Sequence, residues 1–263
     1  MTNSAKTFTL AVAAVALILA VPAAARDLPY QESVRETFPL SPGGVFALEN
    51  VNGSVTIEAW DGNEVVIDAQ KRSDSRTCLE ALRLEFDATP RRVFVKAHFP
   101  DSRCREDDPR REGRGQTQVE FNVRVPRSAQ LDEVKLVNGS LLVDGVEGGV
   151  KASSVNGRVT GRRLTGSVYL STVNGAVQGE FPFLGSSDRV DLRSVNGAVQ
   201  LSLASGAGAR VKTTTTNGSI RNDAGLPVTR GRYVGSTMEG KIGNGAAEVS
   251  LRTVNGAINV STK

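Results

Sequence analysis

The chain has few of the side chains from which catalytic and metal sites are built. Its 263 residues include one histidine and two cysteines, and aromatic residues make up only 5%. These residues cannot supply the four Cys/His ligands of a structural zinc site. The sequence also has no Gly-x-Ser-x-Gly elbow and no glycine loop of the phosphate-binding type. We therefore predict no catalytic residue, no metal and no cofactor, and assign the single histidine, His98, no catalytic role.

Long apolar runs are also scarce, and the one that occurs lies at the N-terminus. Lys6 precedes an uncharged run from Leu10 to Val21, and small residues follow at positions 23–25. This is the pattern of a secretory signal peptide, and the run is shorter than the roughly 20 residues of a membrane span. We predict a signal peptide over residues 1–25, cleavage before Arg26 and an exported protein, periplasmic or at the cell surface. An uncleaved N-terminal anchor is the alternative.

Both cysteines follow the predicted signal peptide. An oxidising compartment favours pairing of Cys78 with Cys104. Such a bond closes a loop of about 26 residues, which the chain-entropy estimate values at about 3–4 kcal/mol. Two unrelated thiols are the alternative.

Glycine, in contrast, is abundant, and much of it belongs to a repeat. The dipeptide Asn-Gly occurs eight times, and six of the copies are preceded by valine. The asparagines are Asn52, Asn138, Asn156, Asn174, Asn196, Asn217, Asn244 and Asn255. Asn-Gly suits a turn because both residues tolerate positive φ. We predict that these dipeptides are equivalent corners of a repeating unit.

Apolar residues alternate with polar ones on both sides of each Asn-Gly. They recur six and four residues before the asparagine and three residues after it, as at Val168, Leu170 and Val177 around Asn174. This period of two indicates half-buried strands rather than helices. We also expect the valines before each asparagine to stack in the core, so that an aspartate at Val173 or Val195 is strongly destabilising.

Two all-β architectures fit this unit. The first is a right-handed parallel β-helix, or β-solenoid, with rungs of about 18–22 residues, in which aligned asparagines form a hydrogen-bonded ladder. The second is an antiparallel meander or sandwich in which each Asn-Gly closes a hairpin. The matching columns favour the parallel stack, because like residues then meet above and below.

The N-terminal part is less regular. We divide the mature chain into an N-terminal β region, 26–130, and an Asn-Gly repeat region, 131–263. The first contains a highly charged loop at 100–116 and a short helix within 73–84 that Asp74 would cap. Whether the first region continues the stack or forms a separate domain stays open at this point.

The repeats resemble a bacterial family named putative adhesin, a repeat domain without an assigned activity. The resemblance rests on Leu136-Val137-Asn138-Gly139-Ser140, on the recurring Ser/Thr-Val-Asn-Gly-x-Val/Ile, and on the ending from Gly240 to Ile258. It covers residues 130–263 well and 43–71 loosely. It implies a β-helical, envelope-associated protein without established catalytic residues.

The charge is uneven, since residues 117–263 carry 17 basic and 11 acidic side chains. A basic repeat surface attracts acidic glycans, lipopolysaccharide or an envelope protein through a salt-screened field. Nucleic acid is excluded by export and by the lack of aromatic stacking platforms. The candidate contact residues are Arg158, Arg162, Arg193 and Arg252.

These features predict a non-catalytic binding or structural module of the cell envelope. Two alternatives remain. One is a carbohydrate-active β-solenoid enzyme, for which Arg158, Arg162 and Arg163 at one corner would act with Asp188 and Asp191 of a later copy. The other is an envelope-stress accessory that acts through a protein partner.

Overall fold

The computed structural model describes residues 28–100, 104 and 116–263. Within this part the chain forms 21 strands and one short helix, α1 (Arg76–Ala81). The predicted signal peptide and most of the charged loop 100–116 lie outside the described residues. No helix in the described part is long and apolar enough to cross a membrane.

The strands form two large mixed sheets. The ten-stranded sheet contains β1 (Tyr30–Pro39), β3 (Val55–Trp60), β4 (Glu64–Ser73), β7 (Thr117–Pro126), β9 (Leu141–Asp144), β11 (Val159–Arg162), β13 (Val177–Phe181), β15 (Val199–Leu203), β17 (Ile220–Asn222) and β21 (Ile258–Thr262). The eleven-stranded sheet contains β2 (Val45–Asn52), β5 (Arg83–Thr89), β6 (Arg92–His98), β8 (Gln130–Asn138), β10 (Val150–Asn156), β12 (Val168–Asn174), β14 (Arg189–Asn196), β16 (Ala209–Asn217), β18 (Val228–Arg230), β19 (Ser236–Ile242) and β20 (Ala247–Asn255).

Seven of the Asn-Gly copies contribute one strand to each sheet. The strand that ends at the asparagine lies in the eleven-stranded sheet, and the strand that begins three residues later lies in the ten-stranded sheet. In one copy, for example, β10 ends at Asn156 and β11 begins at Val159. The two strands of a copy therefore do not pair with each other, and these Asn-Gly corners are not hairpin turns.

Equivalent strands of neighbouring copies pair in parallel and in register. Leu170 of β12 lies opposite Leu192 of β14, and Asn174 lies opposite Asn196. The apolar residues of the alternating columns are buried between the sheets, where they belong to one continuous hydrophobic cluster. Matching side chains thus pack directly on one another, which is the arrangement that aligned apolar columns favour.

The copies do not follow one another in space as they do in the chain. The last copy, with Asn255, lies between the copies of Asn196 and Asn217. At the other end, β6 and β7 pair in parallel with β2 and β3, and residues 99–116 connect them in place of an Asn-Gly corner. The spatial order of the strand pairs therefore departs from their order in the chain at both ends.

Antiparallel strands flank the parallel part on both sides. β4 pairs with β7 and β1, and β5 pairs with β6, at the end nearest the N-terminus. At the opposite end β19 pairs with β16 and β18. Because residues 28–130 contribute strands to both sheets, the division placed at residue 130 is not a boundary between sheets.

A β-bulge in β8 explains why Asp132 stands six residues before its asparagine, where the other copies have an apolar residue. Glu133 has φ 62°, and the pairing of β8 with β10 shifts by one residue at this point. The extra residue brings Leu131 opposite Val150 and into the core. Asp132 is left on the outer side, where its carboxylate lies 3.6 Å from the Lys151 Nζ.

Helix α1 lies between β4 and β5. Its N-cap is Ser75, whose side chain accepts a hydrogen bond from the Cys78 N–H, so the expected cap at Asp74 is wrong by one residue. Cys78 is buried and forms a disulfide with Cys104. The bond therefore ties this helix to the charged connection between β6 and β7.

Candidate binding face

The asparagine side chains of seven corners form one hydrogen-bonded row along an edge of the stack. Each bond joins an Nδ2 donor to the Oδ1 of the next asparagine at 2.8–2.9 Å. In spatial order the row contains Asn52, Asn138, Asn156, Asn174, Asn196, Asn255 and Asn217. The eighth, Asn244, lies elsewhere and accepts a hydrogen bond from the Ala246 N–H. The row holds seven corners in one alignment.

The glycine after each asparagine is required mainly by close backbone approach. A Cβ at Gly175 would overlap the carbonyl oxygen of Gly157, and one at Gly157 would overlap that of Gly139. Among the glycines of the row, only Gly53 has positive φ. The expectation that Asn-Gly is chosen for positive φ is therefore wrong for the other corners, where the missing side chain is what allows the corners to stack.

A buried hydroxyl lies two residues before the asparagine in five copies. It donates to the carbonyl of the glycine in the neighbouring corner at 2.9–3.0 Å, as Thr172 does to Gly157. The five residues are Ser154, Thr172, Ser194, Thr215 and Thr253. The sequence prediction missed this column. These residues follow the two inward apolar positions at the same spacing of two, so the alternation places them on the inward face as well.

The valines before the asparagines point outward. Six of them are 38–42% exposed and form a second row beside the asparagines: Val51, Val137, Val155, Val173, Val195 and Val254. The expectation that Val173 and Val195 lie in the core is wrong. A residue at an odd spacing from the inward positions lies on the opposite face of the strand. The alternation therefore predicts that these valines point outward.

A groove of about 600 Å³ runs beside the valine row on the outer face of the eleven-stranded sheet. It crosses β10, β12, β14, β20 and β16, which are successive neighbours in that sheet. Valines form one side, and small hydroxyl side chains such as Ser153 and Ser171 form part of the lining. Tyr169, Arg193 and Arg252 complete the polar part.

Arg193 is fixed in this groove by two neighbours. Its guanidinium forms two hydrogen bonds with the Asp191 carboxylate and lies 5.4 Å from the centre of the Tyr169 ring. Hydrogen bonding to Asp191 is the main reason that the pKa of Arg193 is raised above its usual value. Arg193 therefore stays charged and is held in one orientation.

Arg252 lies opposite Arg193 on the adjacent strand. It is exposed, and within the described residues no carboxylate pairs with it. Arg158 follows the corner of its copy and Arg162 ends β11 in the other sheet, and both are exposed. Of the four candidate contact residues, the structure thus brings together Arg193 and Arg252, and places Arg158 and Arg162 outside the groove.

The residues considered for catalysis are engaged in separate pairs. His98 Nε2 hydrogen-bonds to the Glu85 carboxylate on the surface. Arg163 pairs with Asp144 at 2.7 Å, whereas Asp188 accepts a hydrogen bond from the Gly185 N–H. Among the residues that the structure describes, no group of three or more His, Cys, Asp or Glu side chains lies close enough to hold a metal ion.

Comparison with known proteins finds likeness in structure rather than in sequence. No protein-family model matches the chain, and no curated protein matches it. A putative cell adhesion protein from Clostridium sporogenes is 12% identical over 88% of this chain and 100% of its own, with a TM-score of 0.44.

Two further solved structures are similar. A putative adhesin from Bacteroides fragilis is 10% identical, with 87% of this chain and 96% of that one covered and a TM-score of 0.38. A putative lipid binding protein from Parabacteroides distasonis is 9% identical, with coverages of 88% and 96% and a TM-score of 0.29. The likeness is thus to proteins named for adhesion or lipid binding. Membership of the family suggested by the repeats stays a prediction.

Proposed function

We propose that the chain is an exported, non-catalytic, adhesin-like binding module of the bacterial cell envelope. The observation that carries this proposal is the outer face of the eleven-stranded sheet. There, equivalent side chains of successive copies lie in straight rows, and the valine row is exposed along its whole length. Such a face offers repeated contacts to an extended partner, as repeat proteins do.

The fold that we propose for the repeat region is a right-handed parallel β-solenoid. Parallel pairing of equivalent strands and the row of asparagines support it. The right hand follows from the general rule for connections between parallel strands of one sheet. The Cys78–Cys104 disulfide supports an oxidising compartment such as the periplasm or cell surface.

The partners that we propose are an acidic glycan, lipopolysaccharide or an envelope protein. Arg158, Arg162, Arg193 and Arg252 are the proposed contacts, because their positive charge complements an acidic surface. The direct test incubates the mature protein with purified envelope polysaccharides and measures co-sedimentation. We expect binding that weakens as salt is raised.

A matched pair of variants makes this test specific. Replacement of all four contact arginines by glutamine is expected to abolish co-sedimentation. Replacement of four other exposed arginines, Arg83, Arg91, Arg221 and Arg230, changes the net charge equally and is expected to leave it intact. Absence of binding to every envelope polymer and envelope protein tested would contradict the proposal, and release of new sugar ends during the incubation would show an enzyme instead.

A further inference from the structure

The lining of the groove beside the valine row has an unusual chemical composition. It contains two arginines and, within the described part of the chain, no carboxylate. Its hydroxyl groups include those of Tyr169, Ser171 and Thr214. Four valines of the exposed row supply an apolar wall: Val155, Val173, Val195 and Val254. A ligand that matches this lining carries negative charge, many hydroxyl groups and apolar C–H surface.

The two arginines have different roles in this arrangement. Arg193 is already held by Asp191 and Tyr169, so it shapes the wall more than it offers a free charge. Arg252 is exposed beside it, and the described residues provide it with no carboxylate partner. A guanidinium in this state is suited to a two-point, charge-assisted hydrogen bond with a ligand carboxylate.

Several cations of the outer face are paired, among them Lys151 with Asp132 at 3.6 Å and Lys212 with Glu239 at 3.5 Å. Arg210 of β16 and Lys241 of β19 are exposed without an ion pair within the described residues, and both lie outside the groove lining. A membrane surface is attracted by a broad cluster of unpaired cations. The groove itself has one free guanidinium, that of Arg252, beside hydroxyl groups and an apolar wall. This narrow lining favours recognition of a single carboxylate over docking on an anionic bilayer.

The direction of the groove points to a linear ligand. It crosses five strands that are successive neighbours, so equivalent side chains recur along it at the spacing of strands, roughly 4.8 Å. A linear polysaccharide advances by one ring per sugar, so successive rings meet successive strands. The C–H faces of the rings can then pack on the valines while their hydroxyl groups face the serines.

We propose that this groove binds a linear acidic polysaccharide of the polyuronate class, which lies across the strands with a carboxylate on Arg252. This inference rests on the proposed binding function and adds the site, the ligand class and the orientation. Tyr169 and the valines contact the sugar rings, and Arg193 lines the groove beside the carboxylate.

The test is calorimetric titration of the mature protein with sodium polygalacturonate and with its methyl ester, which lacks the charge. The wild-type protein is expected to bind the acid and not the ester. Arg252→Gln is expected to weaken binding by roughly tenfold or more, because it removes a charged hydrogen-bond donor. Arg221→Gln, an exposed arginine of the ten-stranded sheet, is the matched control and is expected to bind as the wild type does.

A second variant tests the position of the ligand. Ser171→Trp fills the groove from an outward position, and we expect it to abolish binding while the melting temperature stays unchanged. If this variant and Arg252→Gln both bind as tightly as the wild type, the groove is not the site and the inference is overturned.

Two further outcomes separate this inference from the proposed function. If the protein binds another envelope polymer but not polygalacturonate, the ligand class is wrong and the binding module stands. If vesicles that contain phosphatidylglycerol displace polygalacturonate, the site recognises a lipid surface and the inference is again overturned.

Discussion

The middle of the stack and its two ends satisfy the same backbone groups by different means. In the middle, the Gly175 N–H donates to the Asn196 carbonyl, and the Gly157 carbonyl accepts from Thr172. At the end nearest the N-terminus, Asn50 stands where five other copies have serine or threonine and the Asn138 copy has Leu136. Its Nδ2 lies within 2.9–3.3 Å of three backbone carbonyls, those of Asn52, Gly53 and Val119. The first copy thus uses an amide side chain where most other copies use a hydroxyl.

The opposite end departs from the repeat in a different way. The copy of Asn217 has Thr213 where the others have an aliphatic residue or alanine, and Thr216 where six others have valine. The Thr213 hydroxyl donates to the Met238 carbonyl of the flanking antiparallel strand at 3.5 Å. Residues at the ends are therefore selected for their particular neighbours, and the repeat alone does not specify them.

The largest expected change in stability distinguishes the inward from the outward side chains of the middle strands. Leu170→Ala should lower the free energy of unfolding by about 2–5 kcal/mol, because it leaves a cavity in the buried column where Leu170 lies between Ala152 and Leu192. Val173→Ala, three residues later on the outer face, should cost about 0.5 kcal/mol or less. Urea denaturation of the two variants measures both values. Equal losses would contradict the outward orientation of the valine row.

A smaller effect is expected from the buried hydroxyls of the middle. Thr172→Val keeps the shape of the side chain but removes the donor to the Gly157 carbonyl, and should cost about 1 kcal/mol. Thr214→Val, an exposed position in the end copy, is the control and should leave the free energy of unfolding nearly unchanged. A neutral Thr172→Val would mean that these hydroxyls do not stabilise the corners.

The smallest effect on stability is expected at the end of the asparagine row. There the middle and the end of the row should differ in the rate of asparagine deamidation. An Asn-Gly deamidates when the glycine nitrogen attacks the side-chain carbonyl carbon and expels ammonia, and water then opens the succinimide to aspartate or isoaspartate. In the middle that N–H is engaged, as Gly175 is with Asn196. In the described part of the chain, Gly218 makes no such bond. We therefore expect Asn217 to deamidate before Asn174.

Peptide mass spectrometry after incubation at mildly alkaline pH measures the two rates in one sample. The resulting aspartate at position 217 loses one exposed hydrogen bond to Asn255, which should cost less than about 1 kcal/mol. Equal rates at the two asparagines would show that the middle of the row gives its corners no added protection.

Much of the local structure could be predicted from the sequence. The Asn-Gly spacing and the alternation of apolar residues located the corners and the strands, since both depend on neighbours within one copy. The valines were misjudged because their apolar character was weighed above their position in the alternation. The bulge at Glu133, which moves Leu131 inward, requires the pairing of two strands and is invisible in one of them.

The candidate site was anticipated only in part. Arg193 and Arg252 are 59 residues apart in the chain and become neighbours because the last copy inserts beside β14. Both arginines lie three residues before an asparagine, whereas Arg158 and Arg162 lie two and six residues after one, and the fold leaves these two outside the groove.

The amino-acid sequence by itself determined the repeating unit, its all-β character and the asparagine at each corner, because backbone preference and side-chain alternation act within a few residues. Tertiary structure alone decided the order of the copies, the antiparallel strands at the ends and the groove. These features depend on which strand edges pair and on which side chains then remain on the surface. Both are fixed only when strands that are distant in the chain pair with each other.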